Sequence, residues 1–284
     1  KYTATLLANK TEEKARLKIT FMGRGSIDLD MISLFPKDTW KGRPNGLRKD
    51  LVALIADLKP GFLRFPGGCI IEGRTLAQRY QWKKTLGAIE QRSTMISRWN
   101  TEFSHKLTPD YFQSFGLGFY EYFQLAEDLG AAPIPVISCG IACQFNSGEL
   151  VPLSELDPYI KDALDLIEFA NGSTDTPWGM VRASMGHPEK FNLKYLGVGN
   201  EQWGPQYIER FKLFQDVLKE KHPEIILISG SGPFPDGELF DFAHKELKKL
   251  GAEIIDEHYY KDISWSKQNA TRYDTYDRKG PKVF

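Results

Sequence analysis

Three consecutive stretches decide the fold: LDPYIKDALDLIEFANG (156–172), FNLKYLGVGNEQWG (191–204) and QYIERFKLFQDVLKEKHP (206–223). The outer two place apolar residues three and four apart, the spacing of an amphipathic helix, and the middle one holds a short apolar run ending in glycine. A buried strand between two helices reads as part of a parallel βαβ unit. The pattern repeats in both directions. RKDLVALIADLK (48–59) leads to GFLRFPGG (61–68), FYEYFQLAEDLG (119–130) to APIPVISCG (132–140), and the helix of 206–223 to IILISGSGP (225–233). ELFDFAHKELKKLG (238–251) leads to EIIDEHYY (253–260), and a polar segment leads to PKVF (281–284). Six strands are expected. None is followed by a Gly-rich phosphate loop, which weakens a dinucleotide-binding sheet, whereas 284 residues accommodate a (β/α)8 TIM barrel of roughly 250. The expected fold class is α/β, an incomplete (β/α)8 barrel over residues 41–284.

Residues 1–40 read differently. RLKITFM (16–22) and IDLDMISL (27–34) alternate apolar with polar around Gly23-Arg24-Gly25, as half-buried antiparallel strands do. Two strands do not make a stable unit alone. Residues 1–40 are therefore expected to be the C-terminal part of a β-sandwich.

Composition narrows the function. Thirty-seven basic side chains balance thirty-seven acidic ones, so there is no net pull toward nucleic acid or an anionic membrane. The longest charge-free stretch, Leu129 to Gly148, is interrupted by prolines, Gln144 and Asn146, and offers no membrane span. Three cysteines (Cys69, Cys139, Cys143) make no disulfide framework, and no local Cys/His spacing matches a zinc site. No metal or organic cofactor is expected. The first residues lack the basic start and apolar core of a signal peptide. Sequons at Asn9, Asn171 and Asn269 lean the reading toward a secreted or periplasmic protein without fixing the compartment. The Gly230-Ser231-Gly232 segment does not fit the serine-hydrolase elbow, and no HExxH occurs.

In a parallel barrel the site forms where strands end. Polar groups gather there: Arg64 after β-type residues in FLRFPGG, Asn200 and Glu201 in YLGVGNEQWG, and Glu257, His258 and Tyr260 in IIDEHYY. Glu201, flanked by an amide and Trp203, is the candidate proton donor, and a partly apolar setting is expected to raise its pKa. The bland alternative is a glutamate capping the next helix. Glycoside hydrolysis usually needs a second carboxylate, for which Glu257 is the candidate within the chain. Side chains alternate along a strand, so Glu257 and His258 cannot share a face.

FLRFPGG, GVGNEQWG and DEHYY, in that order on successive strand ends, resemble the glycoside hydrolase family 51 α-L-arabinofuranosidases. The passage of LDMISLFPKDTW (29–40) into a barrel resembles the subgroup with a carbohydrate-binding-like sandwich before most of the barrel. The resemblance implies a retaining enzyme that releases terminal α-L-arabinofuranosyl groups from arabinan, arabinoxylan or their oligosaccharides. It makes Glu201 the general acid/base, Asn200 a donor to the sugar 2-hydroxyl, Tyr260 part of the sugar subsite and Arg64 a support for the nucleophile. The family's nucleophile, a glutamate in a segment that begins like PKVF, is expected just beyond Phe284, and the family's first barrel strand ahead of residue 1. The chain reads as an internal fragment, inactive by itself. Cys69 stands where many relatives carry a sugar-contacting asparagine, a contact that Glu72 could supply instead. Trp99, in a long connection, is a candidate for stacking on the sugar, and His258 a hydrogen-bond partner within the site. Two alternatives remain open: a non-catalytic carbohydrate-binding barrel, and a barrel glycosidase of another linkage using Glu201 with Glu257. Oligomerisation is compatible with either.

Overall fold

The computed structural model describes residues 2–30, 32–103 and 111–284. The chain falls into two compact units that divide after Phe35.

In the first unit no strand is assigned among the described residues of segments 16–22 and 27–34, and Leu17, Ile19, Phe21, Ile27, Leu29 and Ile32 are exposed. Met31 lies outside the described residues. The expected strands are therefore not formed among the described residues of this unit. Alternation marks which side chains could share a face, but a strand exists only where a neighbour completes its hydrogen bonds.

The second unit carries the α/β pattern. Helix α1 (Lys49–Asp57) precedes β1 (Phe62–Phe65). A long excursion follows, with short 3-10 turns and an antiparallel pair, β2 (Met95–Ile96) with β3 (Phe112–Gln113). Then α2 (Phe119–Leu129) leads to β4 (Ala132–Ile137), and α3 (Asp157–Asn171) and α4 (Pro177–Ser184) lead to β5 (Tyr195–Val198). Next, α5 (Pro205–Lys221) leads to β6 (Ile226–Gly230), α6 (Glu238–Lys249) to β7 (Ile254–Asp256), and α7 (Ile263–Gln268) to β8 (Lys282–Val283). Strands β1, β4, β5, β6, β7 and β8 pair in that order, every pair parallel. Sequential parallel strands joined through helices form an incomplete (β/α)8 barrel.

Local chemistry explains the main elements. Helix α3 starts with a proline in its first turn, where the missing N–H is not needed. It buries Tyr159, Ile160, Ala163, Leu166, Ile167 and Ala170, a stripe with helical spacing. Helix α2 ends at Gly130, whose φ of 66° few other residues adopt. Near its start, Glu121 accepts from the Gly118 N–H at 2.8 Å, and Thr85 Oγ1 from the Phe119 N–H at 2.9 Å. Five of the six residues of β4 are buried, as expected for a strand covered on both faces. Between sheet and helices lies an aromatic core in which Phe65 stacks on Tyr122 and meets Phe119 and Phe123 edge-on, while Phe123 stacks on Phe191.

The excursion after β1 is pinned by buried polar groups. Arg92 donates to the carbonyls of Gly87 and Phe115 and pairs with Glu121, and the Trp82 indole donates to the Asp162 carbonyl at 3.1 Å. Because all six strands run the same way, Arg64, Asn200 and Asp256 arrive at one edge of the sheet from positions far apart in sequence. No helix among the described residues is long and apolar enough to cross a membrane.

Candidate active site

The turn after β5 is shaped by Gly199. Its φ is +79°, and a Cβ there would lie 2.6 Å from Gln202 Oε1 and 2.9 Å from the Tyr207 ring, so only glycine fits without displacement. This tight turn directs Asn200 and Glu201 inward, and both are buried. Glu201 is 7% exposed and does not cap α5, whose N-terminus at Gly204 has no side-chain cap. The bland alternative therefore does not hold.

A continuous polar cluster surrounds it. Arg64 Nη2 donates to Asn200 Oδ1 at 2.9 Å and to Asp256 Oδ2 at 3.3 Å. Asn200 Nδ2 donates to Glu72 Oε1 at 2.8 Å, and the Glu201 N–H reaches the same oxygen at 3.3 Å. Cys69 Sγ donates to Glu201 Oε2 at 3.3 Å. His258 bridges two carboxylates, with Nδ1 3.0 Å from Glu201 Oε1 and Nε2 2.8 Å from Asp256 Oδ2. Both ring nitrogens face acceptors, so both must donate and the ring carries a proton.

The electrostatics follow from these contacts. Burial alone would lower the His258 pKa, but Asp256 and Glu201 outweigh it and raise the value to about 9. The same hydrogen bond from His258 holds the Glu201 carboxyl below its ordinary value, although burial pushes the other way. This corrects the expected upward shift: the apolar flank read from sequence is real, but a cation 3.0 Å away dominates it. Burial pushes Glu72 up to about 8, with Cys143 adding to the effect.

The other candidates divide. Asn200, Arg64, His258, Cys69 and Glu72 all join the cluster around Glu201. Glu257 does not, because it faces the opposite side of β7, as alternation requires. Its carboxylate accepts from Tyr276 at 2.8 Å and from Arg272 at 3.3 Å, and lies 3.2 Å from His244 Nε2 of α6. Burial would raise its pKa, but His244 and Tyr276 hold it low. The alternative pairing of Glu201 with Glu257 is thereby corrected: Glu257 is committed to the helix side of the sheet. Tyr260, past the end of β7, is 89% exposed. Trp99 is 39% exposed, with the Arg98 guanidinium 3.9 Å from its ring centre.

Several residues of the site carry little signal in the sequence. Asp256 was hidden behind Glu257, although its i,i+2 spacing to His258 was the available signal. Gln202 Oε1 accepts from the Asn200 N–H at 2.5 Å and so braces the turn. Phe145, Trp203 and Phe234 form a partly exposed aromatic group, with Phe145 and Trp203 ring centres 5.0 Å apart, a surface suited to a sugar ring. Arg98 Nη2 lies 3.4 Å from Cys143 Sγ. Local spacing also missed a buried cluster of Cys69, Glu72 and Cys143, which could hold a metal ion, because its two thiols come from different turns.

Comparison with known proteins then places the chain. The family model described as the alpha-L-arabinofuranosidase 1 domain matches residues 54–278. The chain belongs to the family 51 α-L-arabinofuranosidases. Among arabinofuranosidases of known sequence, it is 43% identical to the extracellular exo-alpha-L-arabinofuranosidase of Streptomyces chartreusis, covering 100% of this chain and 34% of that protein. To alpha-L-arabinofuranosidase 1 of Arabidopsis thaliana it is 39% identical, covering 98% and 38%. The chain thus spans about a third of the length of these arabinofuranosidases. Among solved structures, the arabinose-bound MgGH51 α-L-arabinofuranosidase superposes with a TM-score of 0.71 at 32% identity, over 87% of this chain and 36% of that one. The Thermotoga maritima arabinofuranosidase in its arabinose complex, at 23% identity and a TM-score of 0.59, shows the shared fold.

Proposed function

We propose that the protein to which this chain belongs is a retaining glycoside hydrolase that releases terminal α-L-arabinofuranosyl residues from arabinose-containing polysaccharides or oligosaccharides, with Glu201 as general acid/base. Family membership supports the substrate class. The observation that carries the site is a continuous chain of contacts at the carboxyl edge of a parallel sheet, in which Arg64 joins Asn200 to Asp256 and His258 joins Asp256 to the buried Glu201 carboxylate.

A retaining reaction needs Glu201 first as acid and then as base. Glu201 and His258 share one proton across a 3.0 Å hydrogen bond. With the proton on the ring, Glu201 is an anion ready to take a proton from water. With the proton moved to the carboxylate, it can donate to the departing oxygen. Asp256 keeps the ring oriented through Nε2, and Arg64 ties Asp256 to Asn200. Asn200, turned inward by Gly199, would donate to a sugar hydroxyl once Glu72 yields its amide. The aromatic group of Phe145, Trp203 and Phe234 supports a stacking surface for the sugar. Residues 1–40 are proposed to belong to a carbohydrate-binding-like sandwich, on the strength of their alternation.

The test uses the whole protein. Glu201→Gln is expected to lower kcat on an unactivated arabinoside by about 100-fold to 10,000-fold, the range for loss of a general acid/base. Cleavage of an aryl arabinofuranoside with a good leaving group should suffer less in its first step, and azide should restore turnover by replacing water. Activity within threefold of wild type on both substrates would remove Glu201 from the role.

A further inference from the structure

Beside the Glu201 cluster, and sharing Cys69 and Glu72 with it, two turns bring three ligating side chains into one buried spot. Cys69 and Glu72 lie on the turn after β1, where the Glu72 N–H donates to the Cys69 carbonyl at 3.2 Å, so the two side chains leave one short helical turn. Cys143 lies on the turn after β4, and its backbone N–H donates to the Gly73 carbonyl at 3.0 Å, which fastens the second turn to the first. The two thiol sulfurs and a Glu72 carboxylate oxygen all lie within 4.8 Å of one another, and all three residues are buried. Neither cysteine is in a disulfide.

We propose that Cys69, Glu72 and Cys143 form a site for a soft divalent cation of the zinc and cadmium class, beside Glu201. Two thiolates and one carboxylate are donors that such ions prefer, and hard cations such as magnesium are disfavoured by sulfur. In a tetrahedral zinc site with Zn–S distances of about 2.3 Å, ligand atoms sit roughly 3.5–3.8 Å apart. The spread of up to 4.8 Å therefore needs a closure of about 1.3 Å at most, within reach of side-chain rotation. Charge also balances. Two thiolates, a carboxylate and a divalent ion leave one negative charge, and the Arg98 guanidinium lies 3.4 Å from Cys143 Sγ to offset it. The thiol protons leave to solvent on binding. The three protein ligands leave a fourth position for water, the arrangement of an open site.

Position gives the site a consequence. Cys69 Sγ donates to Glu201 Oε2 at 3.3 Å, and a metal-bound thiolate has no proton to donate. The bound ion removes one hydrogen bond from Glu201 and sets a second anion next to it. Binding itself is independent of the glycosidase reading and is measured without turnover.

The probe is cadmium added to the whole, metal-free, reduced protein, followed by the thiolate-to-cadmium charge-transfer band in the ultraviolet. Saturation at one equivalent is expected, with zinc displacing the band. Glu72→Gln should keep the band and weaken cadmium binding by about 10-fold to 100-fold, and Cys143→Ser should lower the band by half and weaken binding by about 100-fold or more. Because a core cysteine variant can misfold, the wild type supplies a second readout: bound cadmium should protect Cys69 and Cys143 from alkylation together, as seen by peptide mass spectrometry. Absence of a band at one equivalent, or alkylation of both thiols at the same rate with and without cadmium, overturns the site.

Discussion

Replacing Asp256 by asparagine isolates the charge that holds His258 protonated. The ring nitrogens contact two carboxylates, Asp256 at 2.8 Å and Glu201 at 3.0 Å. Together they raise the pKa to about 9 against the opposing effect of burial. Relative to an ordinary histidine near 6.5, that is roughly 3 kcal/mol of preference for the protonated ring in the folded protein. The sign follows from linkage. A raised folded pKa contributes stability that is fully present below about 6.5 and is lost as pH rises through about 9, because over that window the folded state holds a proton the unfolded state has released. With Asp256→Asn the nearer of two comparable partners loses its charge, so about half of the preference, on the order of 1.5 kcal/mol, should disappear and the ring should titrate about one unit lower. Nitrogen-detected histidine NMR across pH 5–10 reads the titration directly, and urea melts at pH 6.5 and 9.5 read the stability. The wild type should lose roughly 3 kcal/mol more between those two pH values than a protein lacking this ring, and the variant about half as much. A ring that still titrates near 9 in Asp256→Asn, with an unchanged pH dependence of stability, would refute the bridge.

Two further outcomes follow from the same geometry. Gly199→Ala places a Cβ at 2.6 Å from Gln202 Oε1 on a backbone with φ of +79°. It should destabilise the protein by about 1–3 kcal/mol in a denaturant melt and lower activity by misplacing Asn200 and Glu201. Glu257→Gln leaves Arg272 and His244 without their anionic partner in a buried setting, so a loss of about 2–4 kcal/mol in stability is expected with kcat on an arabinoside changed less than threefold. A drop in kcat comparable to that of Glu201→Gln would instead restore Glu257 as a reacting group.

Much of the barrel was legible because strands such as Pro133–Ile137 and Leu196–Val198 are apolar on both faces and stand between helices of clear period. Arg64, Asn200, Glu201 and His258 could be picked from position alone, since parallel strands must deliver their last residues to one edge. What stayed hidden depends on distances between separate turns. The approach of the His258 ring to Glu201, which reverses the direction of the carboxyl's pKa, has no signature in either segment. Likewise, Cys143 stands 74 positions after Cys69, and the pairing of β1 with β4 and the bond from the Cys143 N–H to Gly73 bring the thiols together. Tyr260 lies past the end of β7, where the strand no longer dictates direction, so alternation does not fix where its side chain points. In residues 16–22 and 27–34 the alternation was visible, but pairing depends on partners that alternation cannot specify.

The division of β7 into two electrically distinct sides bears on how the sheet selects its register during folding. Gly230 is paired with Asp256 in the native alignment. A slip by one residue would turn Asp256 and His258 toward Phe240 and the α6 side while presenting Glu257 to Arg64. It would also strand Arg272 and Glu201 without their opposite charges, a penalty of several kcal/mol for burying unmatched ions. Misaligned chains would therefore be weeded out by electrostatics even where their apolar contacts were satisfactory, so the polar groups that equip the mouth of the barrel also proofread its assembly.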